Sequence, residues 1–254
     1  MHTPQNSYRI WFTQRSGSTL LCKALAQTGI AGNPGEYFTL MDAEDSLAKK
    51  FSAHDYASLK QNLWKAGSTD NGIFGLKVPL HYSRYQKVLA EIRAFRNLQT
   101  EDDEALLAEL FPNCRHIYLS RRNKIRQVVS WWKAIQDHVW HMEGNQSRTQ
   151  KADFYADKYN PDALRHLFQE SVLMECAKQD YFARYGIKPL SIIYEDFVAD
   201  YENSIRRILD YLELDHQNLR IQPPFYQKTA DDISEEWVAR FKKDLQQNFS
   251  EIVY

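Results

Sequence analysis

The chain has no run of eighteen or more apolar residues, few glycines and only three cysteines in 254 residues, and each shortage excludes something. Without a long apolar run, and with residues 1–8 polar and lacking the apolar centre of a secretory signal, neither export nor a membrane span is encoded, and a cytoplasmic protein is expected. Nine glycines, with no low-complexity tract or internal repeat, leave repeat architectures aside. Cys22, Cys114 and Cys176 are odd in number and lack C-x-x-C spacing, which argues against a disulfide framework or zinc and for reduced, mostly buried packing thiols. Charge of one sign is missing too. With 32 basic and 33 acidic residues the net charge is −1, so no whole-molecule field draws in RNA or DNA. There is no H-E-x-x-H, and although His138 and His141 have a helical i, i+3 spacing, no metal is expected. Also absent is the G-x-x-x-x-G-K-[ST] signature, which disfavours a nucleoside triphosphatase.

What remains is a chain of ordinary apolar content, 43 %, long enough for one large α/β domain spanning residues 1–254. Strands are expected at 9–12, 73–78, 116–120 and 190–194, separated by helical patterns too long for hairpins, which implies parallel pairing. Helices are expected at 18–28, 44–50, 56–64, 82–95, 104–111, 124–140, 161–185, 201–212 and 233–248. Asn160-Pro161 is an N-cap and first-turn pair, and Asp232 with Glu235 has capping-box spacing. The polar stretch 143–151 is the expected mobile loop over a site.

The first strand runs into Thr13-Gln14-Arg15-Ser16-Gly17-Ser18-Thr19 and then an amphipathic helix. Such a loop is a phosphate cradle: first-turn N–H groups lack internal partners and the helix dipole attracts an anion. Arg15 adds a forked cationic donor, Ser16, Ser18 and Thr19 add hydroxyls, and Gly17 allows close approach. The plainer alternative is a Ser/Thr-rich helix cap, worth about 1 kcal/mol with no ligand.

A second strand end, His116 to Ser120, leads into Arg121-Arg122-Asn123-Lys124-Ile125-Arg126. Four cations within six residues at a helix start oppose the dipole and ask for an anion. Arg122 and Ser130, eight residues apart, could both reach one phosphate if the chain turns after Arg122. Two such sites at the C-terminal ends of different strands suit a nucleotide phosphorylated at both its 5′ and 3′ ends.

The stretch Gln14 to Leu21 and the Arg122/Ser130 pair closely resemble the 5′-phosphosulfate and 3′-phosphate motifs of sulfotransferases that use 3′-phosphoadenosine 5′-phosphosulfate (PAPS). More narrowly, the chain resembles the bacterial trehalose 2-sulfotransferase family, over patches at 8–38, 74–77, 116–141, 193–197 and 229–241. The resemblance implies a P-loop-like open parallel sheet flanked by helices on both faces, PAPS as co-substrate with no metal, a carbohydrate or glycolipid acceptor and a homodimer. It places the nucleotide on Gln14, Arg15, Ser16, Gly17, Ser18, Thr19, Arg122 and Ser130, with Lys228 as a late-loop candidate for the 3′-phosphate. It also makes Glu36, in Gly32-Asn33-Pro34-Gly35-Glu36-Tyr37-Phe38, the base for the acceptor hydroxyl; a lone Glu in a Gly/Pro turn is otherwise a solvated side chain.

Lys77, at the end of an apolar strand, emerges at the edge where ligands collect in open α/β folds, and either steadies the moving sulfuryl group with Arg15 or reaches solvent. Asp196 after the last strand is expected to be structural. Aromatic faces suit sugar rings, so Tyr37, Phe38, Trp132, Trp140 and the neighbouring His138 are candidates for the acceptor site, although tryptophans on this helix also suit a core. Two other functions fit the loops: a P-loop-type sugar or nucleotide kinase, which would want a lysine where Ser18 stands, and a non-catalytic sulfonucleotide-binding module.

Overall fold

In the computed structural model the described residues are 3–40, 42, 44–79, 82–99, 102–140, 152–224 and 231–247. The expected loop at 143–151, His141 and Lys228 lie outside them. Strand β1 (Asn6–Phe12) is followed by α1 (Ser18–Gln27), α2 (Leu47–Lys50) and α3 (Tyr56–Gly67). After β2 (Ile73–Pro79) come α4 (Tyr82–Arg96) and α5 (Asp103–Leu107). Then β3 (Cys114–Ser120) leads to α6 (Lys124–Asp137), α7 (Ala152–Tyr155) and α8 (Pro161–Tyr185), and β4 (Leu190–Ile193) to α9 (Tyr194–Ala199), α10 (Tyr201–Tyr211) and α11 (Asp232–Gln246).

Among the described residues the strands form one parallel sheet in the order β2-β1-β3-β4, with Ile10 opposite both Lys77 and Ile117. The chain steps outward from β1 to β2, then returns across β1 to lay down β3. That reversal opens a crevice beyond the carboxyl ends of β1 and β3, where ligands bind in open α/β sheets. Both faces are covered, as parallel sheets require. Tyr8, Ile10 and Phe12 pack with Ile117, Leu119 and Ile192 against α1, α9 and α10. Trp11, Phe74, Leu76, Val78 and Tyr118 pack on the other face against α3, α4, α5 and α8. A third cluster, with Val128, Trp131, Leu164 and Trp237, joins α6, α8 and α11 beside the sheet. No helix of the described residues is long and apolar enough to cross a membrane.

Polar groups interrupt the second face beneath β1. Arg9, 1 % exposed, pairs with Glu104, which also accepts from the Tyr181 hydroxyl. Trp11 Nε1 donates to His116 Nδ1 at 3.0 Å, and Arg9 Nη2 lies 3.4 Å from the other ring nitrogen. Burial, and then the Arg9 charge, lowers His116 from 6.5 to about 3, so the ring is neutral.

Several expectations need correction. Helix α6 was expected to reach residue 140 but stops at Asp137, because His138 turns left-handed at φ 57° and the Asp137 carboxylate accepts from Val139 N. His138 is thus not helical, and the expected histidine spacing does not hold. The cap of α11 is Asp231, which accepts from Ser234 N, one residue before the expected box. Helix α2 starts at Leu47 because Ser46 caps it by accepting from Lys49 N. Cys22 is buried, but Cys114 is half-buried and Cys176 exposed, so burial of the thiols does not extend to all three.

Candidate functional site

The β1–α1 loop is built from two left-handed residues, Arg15 at φ 60° and Gly17 at φ 88°. Successive turns of this kind make a concave nest of N–H groups. Gly17 is required twice over, since a Cβ there would also stand 2.3 Å from Cδ2 of the Tyr194 ring. Helix α1 starts at this glycine with no side-chain cap and no acid in its first turn. Gln14 Oε1 and Ser16 Oγ are buried with no hydrogen-bond partner among the described residues. Buried orphans of this kind are rare; the Ser16 hydroxyl, which can donate, and the uncapped helix start match an anionic group seated on the loop, whereas Gln14 Oε1 is an acceptor and does not.

The β3–α6 segment meets this loop directly. Arg15 Nε donates to Ser130 Oγ at 3.0 Å, Gln127 Nε2 to Gln14 O at 2.7 Å, and Arg121 Nη1 to Arg15 O at 3.1 Å. Arg15 Nη1 also donates to the Trp140 carbonyl. Ser130 accepts from Arg15 and keeps its own proton to donate. Three backbone N–H groups at the start of α6 are already taken: Glu195 accepts from Arg122 N at 2.9 Å and Asn123 N at 3.1 Å, and Asn123 caps the helix through Arg126 N. Burial pushes Glu195 up, but those backbone donors outweigh it and hold the carboxyl below its usual range.

The 121–126 cations do not stand bare, because the chain supplies partners for them. Arg122 Nη2 pairs with Asp196 at 2.7 Å, both side chains 62 % exposed, which gives Asp196 a structural role. Lys124 pairs with Glu175, Arg126 with Glu235, and Arg121 lies over the Tyr194 ring at 4.9 Å. An exposed pair such as Arg122–Asp196 is weak enough for a phosphate to displace.

Glu36 is delivered to the same edge by backbone pairing. Lys77 N donates to Gly35 O at 2.9 Å in an isolated parallel bridge, which sets the next residue beside the Lys77 side chain. Lys77 Nζ then donates to Glu36 Oε1 at 2.6 Å and to Thr19 Oγ1 at 3.3 Å, and sits 4.4 Å from the centre of the Phe12 ring. Thr39 Oγ1 donates to Glu36 Oε2 at 3.3 Å, and Lys50 Nζ to the Glu36 and Thr39 carbonyls at 2.8 and 2.9 Å. Lys77 does not reach solvent: its side chain is 7 % exposed, against 44 % for Glu36. One buried ammonium therefore joins an open carboxylate to the first turn of α1.

Three of the five acceptor-site candidates are tied into packing instead. Phe38 is 4 % exposed with its ring edge against Phe111. The Tyr37 hydroxyl reaches the Asn33 and Ala66 carbonyls at 2.6 and 2.7 Å while its ring packs with Phe51 and Phe74. Trp132 donates to Lys158 O at 2.7 Å and packs in the third cluster. His138 and Trp140 are exposed, and the Trp140 carbonyl brings them to Arg15. Sequence reasoning missed Lys50, Thr39 and the Tyr194 ring on Gly17; only a hydroxyl or basic residue type marked the first two, and nothing near Gly17 announced the third.

A strand–loop–helix anion nest at the sheet's switch point, flanked on one side by a second cationic loop and on the other by a carboxylate–lysine pair, defines a group-transfer protein of the open parallel α/β class. The chain belongs to the Stf0 sulphotransferase family, whose pattern it matches over residues 7–244. It is 25 % identical over 274 residues to the trehalose 2-sulfotransferase of Mycolicibacterium smegmatis, covering 95 % of this chain and 96 % of that protein. To the trehalose 2-sulfotransferase of Mycobacterium tuberculosis it is 26 % identical over 264 residues, covering 93 % and 94 %. Among solved structures, a sulfotransferase from Alicyclobacillus acidocaldarius aligns with a TM-score of 0.49 at 13 % identity, covering 97 % of this chain and 94 % of that one.

Proposed function

We propose that the protein moves a sulfuryl group from PAPS to a hydroxyl of a carbohydrate or glycolipid, with trehalose-like sugars as the class that the mycobacterial relatives' names suggest. Gln14, Arg15, Ser16, Gly17, Ser18 and Thr19 would hold the 5′ end of the nucleotide. Arg122 and Ser130 would hold its 3′-phosphate, with Lys228 as a further donor. When bound, the nucleotide supplies a sulfuryl group already attached to an acidic phosphate, so Arg15 and Lys77 suffice to meet the charge on the departing oxygen.

The observation that carries this reading is the chain Glu36–Lys77–Thr19, 2.6 Å and 3.3 Å between partners. It sets a half-open carboxylate next to the turn where the anion's donors converge. Glu36 takes the proton of the acceptor hydroxyl, and Lys77 fixes the direction in which the carboxylate points. In-line transfer then needs the hydroxyl on the side of the loop away from the nucleotide, where Glu36 stands.

Replacing Glu36 with Gln keeps the shape and removes the base. Turnover should fall roughly 10²- to 10⁴-fold, measured as sulfate transfer from PAPS to a panel of disaccharides and glycolipids, while affinity for adenosine 3′,5′-bisphosphate stays near wild type. A Glu36→Gln enzyme that turned over normally would leave Glu36 a loop residue.

A further inference from the structure

Lys178 is a lysine that neither the loops nor the acceptor side accounts for. It lies on α8, on the sheet face opposite α1, and is fully buried. Its Nζ donates to Thr13 Oγ1 at 3.2 Å and to Met174 O at 3.0 Å. Thr13 is the root of the anion loop: it follows β1 directly, and its carbonyl accepts from Ser16 N at 3.2 Å. No carboxylate of the described residues pairs with Lys178; the nearest acid on its helix, Glu175, is taken by Lys124 and by the Ser120 hydroxyl.

A buried ammonium without a carboxylate is costly, and a methionine or leucine would fill the same space at less cost. Two neutral acceptors take two of its three N–H groups and do not neutralise it. The missing countercharge is supplied if an anion occupies the other side of the loop. We propose that Lys178 is a positioning residue for the sulfonucleotide, fixing the loop through Thr13 and lending it a buried positive charge from below. This rests on the PAPS reading above.

The role makes nucleotide affinity depend on pH in a definite direction. Burial lowers Lys178 to about 7, with Lys124 of α6 lowering it further and Glu175 of α8 raising it, while the loop contributes only the Thr13 hydroxyl. A bound anion favours the charged form and raises the pKa, so binding takes up a proton and weakens as pH rises above 7.

The test is calorimetric titration of wild type and Lys178→Met with adenosine 3′,5′-bisphosphate from pH 6.5 to 8.5, in pairs of buffers with different ionisation heats. Wild type should take up a fraction of a proton near pH 8, where the ligand phosphates are already ionised, and its Kd should rise about three- to tenfold more across the range than that of Lys178→Met. Thr13→Val removes an acceptor and should move the midpoint to lower pH, a change that a merely space-filling lysine would not produce; it also serves if Lys178→Met fails to fold. Nucleotide binding with the same pH profile in wild type and variants overturns the role of Lys178 alone. Absence of binding by wild type at every pH overturns the PAPS reading, and this role with it.

Discussion

Arg122 and Asp196 illustrate how the residue proposed to meet the 3′-phosphate is held by an ion pair of its own. The guanidinium is raised above its ordinary pKa by the Asp196 hydrogen bond and charge, and the pair is open to water, so a phosphate competes with one carboxylate rather than with a buried network. Two variants should therefore move in opposite directions. Arg122→Ala should weaken adenosine 3′,5′-bisphosphate binding roughly ten- to hundredfold, the loss of a charge-assisted contact. Asp196→Asn frees the guanidinium and should tighten binding. Unchanged affinity in both would move the 3′-phosphate away from Arg122. At this scale legibility followed chemistry. Arg15, Ser16 and Gly17 stood out because a cation, a hydroxyl and a left-handed glycine have recognisable uses at a helix start, whereas Glu36 stood out only through the family resemblance. Tyr194 on Gly17 and Lys178 under Thr13 come from residues well over a hundred positions away, and no local pattern records such a contact.

Helix α8, with both ends written in local chemistry, was read to the residue. Helix α8 begins at Pro161 behind Asn160, whose side chain accepts from Asp162 N and Ala163 N, and ends before Gly186 at φ 63°. Helix α6 was read too long because its stop depends on a partner from another element: Asp137 accepts from the Tyr155 hydroxyl of α7 at 2.7 Å as well as from Val139 N. The short α9 was missed since it continues β4 without a break, and only its Glu195 contact to the β3–α6 turn explains its place. Helix α11 is fastened by its cap residue. Asp231 caps the helix and also pairs with Lys133, which is 1 % exposed. Asp231→Ala therefore removes a cap and strands a buried charge. We expect a loss of about 2 kcal/mol in denaturant unfolding, below the roughly 3–5 typical of a fully enclosed pair, because Asp231 is 42 % exposed. A loss no larger than that of a cap alone, about 1 kcal/mol, would show that Lys133 finds another partner.

At the scale of the whole molecule, the polar inclusion beneath β1 is expected to make stability depend on acid. Nδ1 of His116 accepts from Trp11 Nε1, so a proton there would set two donors face to face, and the Arg9 guanidinium 3.4 Å from the other ring nitrogen would repel the charged ring. With a folded value near 3 and an ordinary one of 6.5, the unfolded chain binds a proton in that window that the folded chain refuses. Stability present above pH 6.5 is thus lost progressively as pH falls toward 3, each unit of separation amounting to about 1.4 kcal/mol. Thermal melts of wild type and His116→Gln should diverge there, the variant declining less steeply; parallel curves would assign acid unfolding to the carboxylates instead.

The bridge from Gly35 to Leu76 has a consequence beyond seating a carboxylate. Together with the antiparallel bridge from Ser68 to Phe74, it occupies the outer flank of β2. An unguarded flank is where foreign strands dock and fibrils begin. The same few atoms that seat Glu36 beside Lys77 thus also close that border of the sheet to trespassing chains.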